Sequence, residues 1–182
     1  MKKLILLAAA GVLLLSCKKE LVENQQEQNE LSKSANEIAG RTVGATQIAG
    51  VSYYDANDEC NSAGQGATYA LNMTGDLTGC WYIFIDKFDC TPGGAYMELG
   101  RELFVGTYKG ESGSFWTTYR FEARYEGCAA DGSYLGAEIV GRCQHPIIEG
   151  SGEGVFKGVK GRLDMKDDIA AGNYPYRGHL RF

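Results

Sequence analysis

The feature that most constrains this chain is an alternation of apolar and polar residues that runs almost unbroken from Ala67 to Phe182. Successive side chains of a β-strand point to opposite faces of the sheet, so a period of two residues predicts strands with one buried face. From Ser114 to Glu126, one face carries Phe115, Thr117, Tyr119, Phe121, Ala123 and Tyr125, and the other is mostly polar. The sequence therefore predicts an all-β domain.

The stretch from Gly79 to Phe88 departs from this alternation. One of its faces carries Trp81, Ile83 and Ile85, and the other carries Tyr82, Phe84 and Phe88. A strand that is apolar on both sides is typical of positions covered on both faces. We therefore expect the stretch from Gly79 to Phe88 to be a strand that is covered on both faces.

A glycine spacing recurs along the domain. Gly106-x3-Gly110-x2-Gly113-x-Phe115 and Gly154-x3-Gly158-x2-Gly161-x-Leu163 share it, and Gly75-x3-Gly79 repeats its first half. Glycine supplies positive φ in tight turns and lets strands bend, which closure of a barrel requires. A phosphate-binding loop is the alternative, but it needs a following helix, whereas strands are predicted to follow here.

The first residues have the pattern of a lipoprotein export signal. Met1-Lys2-Lys3 precedes an apolar run from Leu4 to Leu15 that is too short to cross a hydrocarbon layer of roughly 30 Å. Leu14, Ser16 and Cys17 match the lipobox pattern; an ordinary secretory peptide with an incidental Cys17 is the alternative. We expect cleavage after residue 16, acylation of Cys17, and a membrane-anchored protein of the bacterial cell envelope, on the periplasmic side or the cell surface.

Aromatic content separates a tether from a folded domain. All 2 Trp, 11 Tyr and 7 Phe residues lie between Tyr53 and Phe182, and the preceding segment is rich in Glu, Gln and Asn. A segment that cannot bury apolar surface stays unfolded. We therefore predict a disordered tether over residues 17–46 and one domain over 47–182.

Net charge and histidine content limit the partners. The formal charge is −5, and it becomes more negative when Lys2 and Lys3 leave with the signal, so a nucleic-acid partner is not expected. Only His145 and His179 could supply imidazole, and no CxxC pair occurs, which argues against a zinc or redox site. No cofactor is expected, and the oligomeric state is left open.

The cysteines beyond Cys17 are odd in number. They are Cys60, Cys80, Cys90, Cys128 and Cys143. An oxidising compartment favours disulfides, so we expect at most two bridges and at least one free thiol. The sequence leaves their pairing open.

The strand predicted from Ala95 to Tyr108 carries charge on both faces. Glu98 and Glu102 share one face with two aromatic residues, and Arg101 lies on the other. Pointing inwards, the glutamates would need partners, and they would bind a polar ligand group or act as an acid/base. Pointing outwards, they would meet water while Arg101 extends to solvent at a barrel rim. The pattern favours the outward position.

Two further sets of residues are candidates for binding. Trp81, Tyr82, Trp116 and Tyr119 could form an aromatic ligand wall, although such residues also simply fill cores. Asp164, Asp167 and Asp168 occupy a predicted loop, but they lack the spacing and the glycine of a dedicated calcium loop. We expect the aspartates to be solvated and predict no metal site.

Several segments resemble the allene oxide cyclase barrel-like domains of bacteria. They are Met73–Tyr82, Gly100–Thr107, Gly110–Phe115 and Glu149–Gly161, and they carry in order a G-x-L-x-G strand, an E-x-F-x-G strand, a G-x-x-G-x-F hairpin and a G-S-G-x-G-x-F-x-G-x-x-G hairpin. The resemblance covers roughly Leu71 to Phe182. It implies a single eight-stranded antiparallel β-barrel of calycin-like shape. Its motifs are glycines and core aromatics, so it implies a fold more than an activity.

These observations lead to three functional hypotheses. We expect an envelope-anchored barrel that binds a small hydrophobic molecule or an envelope component and is not an enzyme. The first alternative is a cyclase or isomerase acting on an apolar substrate with help from Glu98 or Glu102. The second is a purely structural or interaction module. A wide, partly polar lumen would favour binding or catalysis, and a solidly packed lumen would favour the structural module.

Overall fold

The computed structural model of the protein describes residues 44–182. The predicted signal peptide, Cys17 and nearly all of the predicted tether lie outside the described residues. The strands are β1 (Thr46–Tyr54), β2 (Tyr69–Gly75), β3 (Leu77–Cys90), β4 (Ala95–Tyr108), β5 (Glu111–Cys128), β6 (Tyr134–Pro146), β7 (Glu153–Gly154), β8 (Lys160–Lys166) and β9 (Tyr174–Arg181), with one 3-10 turn at Ala63–Gln65. Within residues 44–182 no helix has the length and apolar character needed to cross a membrane.

Eight of the strands close into an antiparallel barrel, as the sequence predicts. Neighbours pair in the order β1, β2, β3, β4, β5, β6, β8, β9, and β9 pairs back with β1. The short strand β7 adds to β5 at Gly113 and Ser114. We call the end at the β4–β5 hairpin the lower end and the end at the β3–β4 hairpin the upper end.

The lower end of the barrel is packed solid. Trp81, Phe104 and Phe115 are completely buried there and contact one another at ring separations of 5.2 to 6.0 Å. Phe156, from the segment between β7 and β8, lies 4.9 Å from the ring of Phe115 and closes this end. Burial of this aromatic surface stabilises the barrel.

Strand β3 follows its predicted pattern only as far as a β-bulge at Asp86. Before the bulge, Ile83 and Ile85 face the lumen, and Tyr82 faces outwards. The extra residue shifts the alternation by one position, so Phe88 lines the lumen instead of sharing a face with Tyr82 and Phe84, as the sequence predicted. A period of two residues cannot reveal such a phase shift.

The outer face of β3 is covered by the segment between β1 and β2, residues 55–68. The Asp55 carboxylate anchors this segment by accepting hydrogen bonds from the backbone N–H groups of Glu59 and Cys60, at 3.0 and 2.8 Å, and from Asn72 Nδ2 at 3.0 Å. Beneath it, Tyr82 is buried. The expectation that this part of β3 is covered on both faces is therefore confirmed.

The five cysteines beyond Cys17 form two disulfides and leave one free thiol. Cys60 is bonded to Cys80 on the outer face, and Cys90 is bonded to Cys128 at the upper end. Cys143 is a buried free thiol. This agrees with the limit of two bridges, and it supplies the pairing that the sequence left open.

The recurring glycines form turns, as predicted, and they also form close contacts between strands, which the spacing did not predict. Gly110 and Gly158 occupy turns with φ of 84° and 80°. Gly106 and Gly113 face each other across β4 and β5, and Gly154 pairs with Gly113 in turn. The segments after both turns are strands, so the helix that a phosphate loop needs is not found there.

Candidate functional site

The upper half of the lumen is an open cavity of about 540 Å³. Small-molecule sites usually measure roughly 300 to 1,000 Å³. The exposed side chains of Tyr54, Phe88 and Tyr134 surround its mouth, and its deepest polar residues are Glu102 and His145, which are 3% and 2% exposed. The remaining wall is mostly apolar and aromatic: Tyr69, Leu71, Ile83, Ile85, Tyr96, Tyr119, Phe121, Tyr125, Cys143, Met165 and Tyr174.

Both glutamates of β4 point into this cavity, so the outward position that the sequence favoured is wrong. Glu98 is 6% exposed, whereas Arg101 lies on the outer face near Asp86, with N–O separation 3.8 Å. The glutamates are tolerated inside because β5 and β6 supply hydrogen-bond donors to them. The opposite face of β4, which is mostly apolar, points outwards. There the covering segment, residues 55–68, partly shields Leu103 from water.

Glu98 is held by two tyrosines. The hydroxyl of Tyr96 donates to Oε2 at 2.7 Å, and that of Tyr119 donates to Oε1 at 2.6 Å. Burial, and then the hydrogen bond to Glu98, raises the pKa of both tyrosines well above its ordinary value. Both hydroxyls therefore keep their protons and remain donors.

Glycine at position 100 makes the Tyr119 contact sterically feasible. Gly100 lies between Glu98 and Glu102 on the inner face of β4. A Cβ at this position would lie 2.7 Å from Cε1 of Tyr119 and would collide with the Phe84 carbonyl oxygen. The ring of Tyr119 can pass over β4 towards Glu98 only because no side chain stands there.

Glu102 and His145 form a buried pair at the cavity floor. Oε2 of Glu102 accepts a hydrogen bond from Thr117 Oγ1 at 2.6 Å and lies 2.6 Å from Nδ1 of His145. This geometry assigns a proton to Nδ1, which donates to the carboxylate. The pair joins β4 to β6 across β5.

The second ring nitrogen of His145 is unpartnered. Among residues 44–182, Nε2 of His145 is buried without a hydrogen-bond partner, and the ring packs edge-on to Trp81 at 5.6 Å. An imidazole held by a carboxylate at one nitrogen and free at the other can accept a hydrogen bond or a proton. The floor of the cavity therefore offers an acceptor to a bound molecule.

A second acidic pair lies nearer the mouth. Asp167, just after β8, hydrogen-bonds to Glu138 on β6, and burial and this contact raise the pKa of Asp167 to about 7. The two carboxyls lie over Gly141, where a Cβ would collide with Glu138 Oε1 and approach Asp167 Oδ2 to 2.5 Å. Near neutral pH the pair holds one proton between its two carboxyls.

We expect Asp167→Asn to flatten the pH dependence of stability between about pH 4 and pH 7. The folded protein retains the Asp167 proton up to about pH 7, and the unfolded chain releases it near 3.8, so rising pH in that window favours unfolding. Above pH 7 the variant should be more stable than the wild type by on the order of 1 kcal/mol, a value reduced for the partial exposure of the group.

Urea unfolding at pH 4.5 and pH 8 tests this expectation. Asp168→Asn, at the exposed neighbouring position, is the matched control and should keep the wild-type slope. An unchanged slope in Asp167→Asn would contradict the shared-proton assignment.

The four residues of the candidate aromatic wall lie on different faces of the barrel. Tyr119 lines the cavity, and Trp81 lies beneath its floor as core. Tyr82 and Trp116 lie on the outer face, where the Tyr82 hydroxyl donates to the Cys60 carbonyl oxygen at 2.9 Å and Trp116 packs against Phe84. The four residues do not form one wall, because alternation along β3 and β5 sends them to opposite faces.

The three clustered aspartates do not form a common loop site. Asp164 belongs to β8 and pairs with Arg162 at 2.9 Å, Asp168 is exposed, and Asp167 lines the cavity. The expectation of solvated loop charge is therefore wrong for Asp167. Within the part of the chain that the structure describes, no group of three potential ligands could hold a metal ion.

The sequence interpretation missed most of the polar residues of the cavity. Cys143 and His145 continue the inner face of β6, and Asp167 continues the alternation of Leu163 and Met165 along β8. That continuity was the available signal. Burial raises the pKa of the Cys143 thiol far above its ordinary value, so this side chain acts as a protonated, weakly polar part of the wall.

Comparison with protein-family models, with curated proteins and with solved structures finds no match to this chain. The chemistry of the cavity must therefore be inferred from its own residues.

Proposed function

We propose that this protein is an envelope lipoprotein whose barrel binds a small, mostly apolar molecule in its lumen. The observation that carries the proposal is the 540 Å³ cavity, which has aromatic walls and a few convergent polar groups at its floor. Such a combination is typical of small-molecule sites, since apolar walls provide affinity and sparse polar groups orient the ligand. A purely structural module would have no need to hold two glutamates and a histidine inside a barrel.

The membrane anchor in this proposal depends on the signal pattern that ends at Cys17. Acyl chains on Cys17 would hold the protein at a bilayer, since each buried CH2 contributes about 0.8 kcal/mol. A tether up to about residue 46 would place the barrel clear of the lipid headgroups. Kinship with allene oxide cyclase barrel-like domains remains part of the proposal, and the closed eight-stranded barrel is consistent with it.

A second candidate function, a cyclase or isomerase, is favoured by the Glu102–His145 pair. The free Nε2 of His145 could remove a proton from an apolar substrate while Glu102 holds the ring in position. In that case Glu102→Gln should slow conversion of a retained molecule by about 100-fold or more, with binding maintained. Turnover of host lipid extract, followed by mass spectrometry, checks this outcome.

Native mass spectrometry of the protein purified from its own host's envelope tests the binding proposal. We expect a retained small molecule of constant mass. Ile85→Trp should displace it by filling the cavity, and Ile139→Trp, the same change at an exposed position of β6, should not. An empty barrel in every preparation, including after incubation with host lipid extract, would contradict the proposal and favour a structural role.

A further inference from the structure

We infer that the ligand is an organic cation, an ammonium group on an apolar body, whose charge is held at the cavity mouth by Glu138 and Asp167. This inference deepens the proposed function and rests on it. The apolar body would occupy the aromatic cavity below. We call Tyr125, Tyr134, Glu138, Asp167 and Tyr174 the mouth cluster.

The first observation is the charge of the cavity. Its lining includes four carboxyl groups, those of Glu98, Glu102, Glu138 and Asp167. Among the described residues along that wall there is neither Lys nor Arg, and the sole basic group is His145. A ligand carrying positive charge would compensate carboxylates that the protein leaves unbalanced, and an anionic ligand would be repelled.

The second observation is the aromatic surroundings of the acidic pair. The rings of Tyr125 and Tyr134 are stacked with centroids 4.1 Å apart. Tyr174, from β9, lies close enough to Asp167 and Glu138 that, after burial, their negative charges raise the pKa of its hydroxyl. Aromatic faces combined with carboxylates recognise ammonium groups, because the ring quadrupole attracts a cation and the apolar surface tolerates its alkyl substituents.

The third observation concerns hydrogen bonding. Oε1 of Glu138 is buried, and its only nearby partner among the described residues is the carboxyl of Asp167. At the floor, the side chain of His145 is 3% exposed and its Nε2 has no partner. The cavity therefore has an unpartnered acceptor at its floor, and at its mouth an acceptor that only the Asp167 proton can satisfy. These acceptors favour a ligand that carries donors or positive charge over one rich in acceptors.

The geometry also argues for an organic rather than a metal cation. Glu138 and Asp167 are two ligands, and no third His, Cys, Asp or Glu completes a metal-binding group in the described part of the chain. The other neighbours of the pair are tyrosine rings and the protonated Cys143 thiol. Such a shell solvates an alkylammonium group better than it coordinates a hard ion.

Binding of a permanent cation should tighten as pH rises from about 6 to 8. Burial and the contact with Glu138 raise the pKa of Asp167 to about 7, so Asp167 is protonated below that pH and gains a negative charge above it. Facing this pair are Tyr125 on β5, Tyr134 and Cys143 on β6, and Tyr174 on β9. Burial raises the pKa of Tyr125, Cys143 and Tyr174, so these three stay neutral in that range.

Four probes with one octyl tail test the inference on the full-length protein, with dissociation constants measured by isothermal titration calorimetry at pH 6 and pH 8. They are octyltrimethylammonium, 1-octanol, octanoate and octylphosphocholine. We expect the ammonium probe to bind at least about tenfold more tightly than octanol at pH 8, and octanoate to bind most weakly. Equal binding of octylphosphocholine would indicate a lipid headgroup as the source of the cation, and weaker binding would indicate a free amine.

Two double variants that remove the same number of negative charges distinguish an effect of the mouth cluster from an effect of the protein's net charge. Glu138→Gln/Asp167→Asn should abolish the preference for the ammonium probe over octanol and the pH dependence of its binding. Glu111→Gln/Glu153→Gln removes the same two charges at exposed positions near the lower end and should bind all probes as the wild type does.

The outcomes separate failure of the inference from failure of the proposed function. Equal affinities for octanol and the ammonium probe, with both bound, would overturn the organic cation and leave a neutral-ligand barrel. No binding of any probe at either pH would count against the proposed function itself. Loss of cation preference in both double variants would overturn the assignment of the charge to the mouth cluster.

Discussion

Replacing His145 by leucine is expected to lower the free energy of unfolding by about 3 to 5 kcal/mol, because Glu102 would be left buried without the hydrogen bond that Nδ1 of His145 donates to it. The carboxylate and the imidazole are 4% and 3% exposed, so water cannot compensate the lost contact. Thr117 alone would remain as a donor to Oε2. Since small domains are stable by only about 5 to 15 kcal/mol, this single change should remove a large part of the total.

The double variant Glu102→Leu/His145→Leu should recover most of that loss, because an apolar pair leaves no buried charge uncompensated. Urea unfolding of the wild type, both single variants and the double variant gives the coupling energy, which we expect to exceed about 2 kcal/mol. The exposed Glu122–Arg142 pair, 2.7 Å apart, is the matched control, and its coupling should stay below about 1 kcal/mol. Additive effects at Glu102 and His145 would contradict a buried, coupled pair.

If the apolar double variant is as stable as the wild type, the glutamate–histidine pair is not explained by stability. Its presence in the lumen is then better explained by what Nε2 of His145 offers to a bound molecule. A role in binding would distinguish this pair from the mostly apolar core directly below it, around Trp81 and Phe104.

The all-β fold could be predicted from the sequence because alternation survives wherever a strand has one inner face, and the eight-stranded barrel was implied by the resemblance to allene oxide cyclase barrel-like domains. Residues on the two faces of β4 were separated correctly, but which face pointed inwards was predicted wrongly. The choice depends on donors that lie far away in sequence: the Glu98–Tyr119 contact spans 21 residues and the Glu102–His145 contact spans 43. Strand pairing brings these groups together, and no local pattern encodes it.

The positions of Phe88 and Asp167 also could not be predicted from the periodic pattern of the sequence. The bulge at Asp86 shifts Phe88 into the lumen. A single inserted residue does not change the hydrophobic pattern of the sequence enough to be recognised. Asp167 was assigned to a solvated loop because of its acidic neighbours, although it continues the inner face of β8 towards Glu138. The contact between the carboxyl groups of Asp167 and Glu138 depends on the pairing of distant strands, so it cannot be recognised from the residues next to Asp167 in the sequence.

The two disulfides should have similar effects on stability and different effects on binding. Cys90–Cys128 closes 38 residues and Cys60–Cys80 closes 20, so the chain-entropy model gives losses of about 4 and about 3 kcal/mol for the respective Cys→Ala pairs. Cys90 and Cys128 pack with Tyr96 and Tyr125, two residues of the cavity wall. Cys60 and Cys80 pack with Tyr82 on the outer face.

We therefore expect Cys90→Ala/Cys128→Ala to weaken binding of octyltrimethylammonium by about tenfold, because the upper ends of β3 and β5 would no longer be held together. Cys60→Ala/Cys80→Ala should bind it with wild-type affinity and is the matched control. Guanidinium unfolding gives the stabilities, and calorimetric titration at a temperature where both variants are folded gives the affinities. If both variants bind equally well, the mouth does not depend on the upper disulfide; if both lose binding equally, the effect is a general loosening of the barrel. Either result would contradict the prediction that the Cys90–Cys128 disulfide holds Tyr96 and Tyr125 in their binding positions at the upper end.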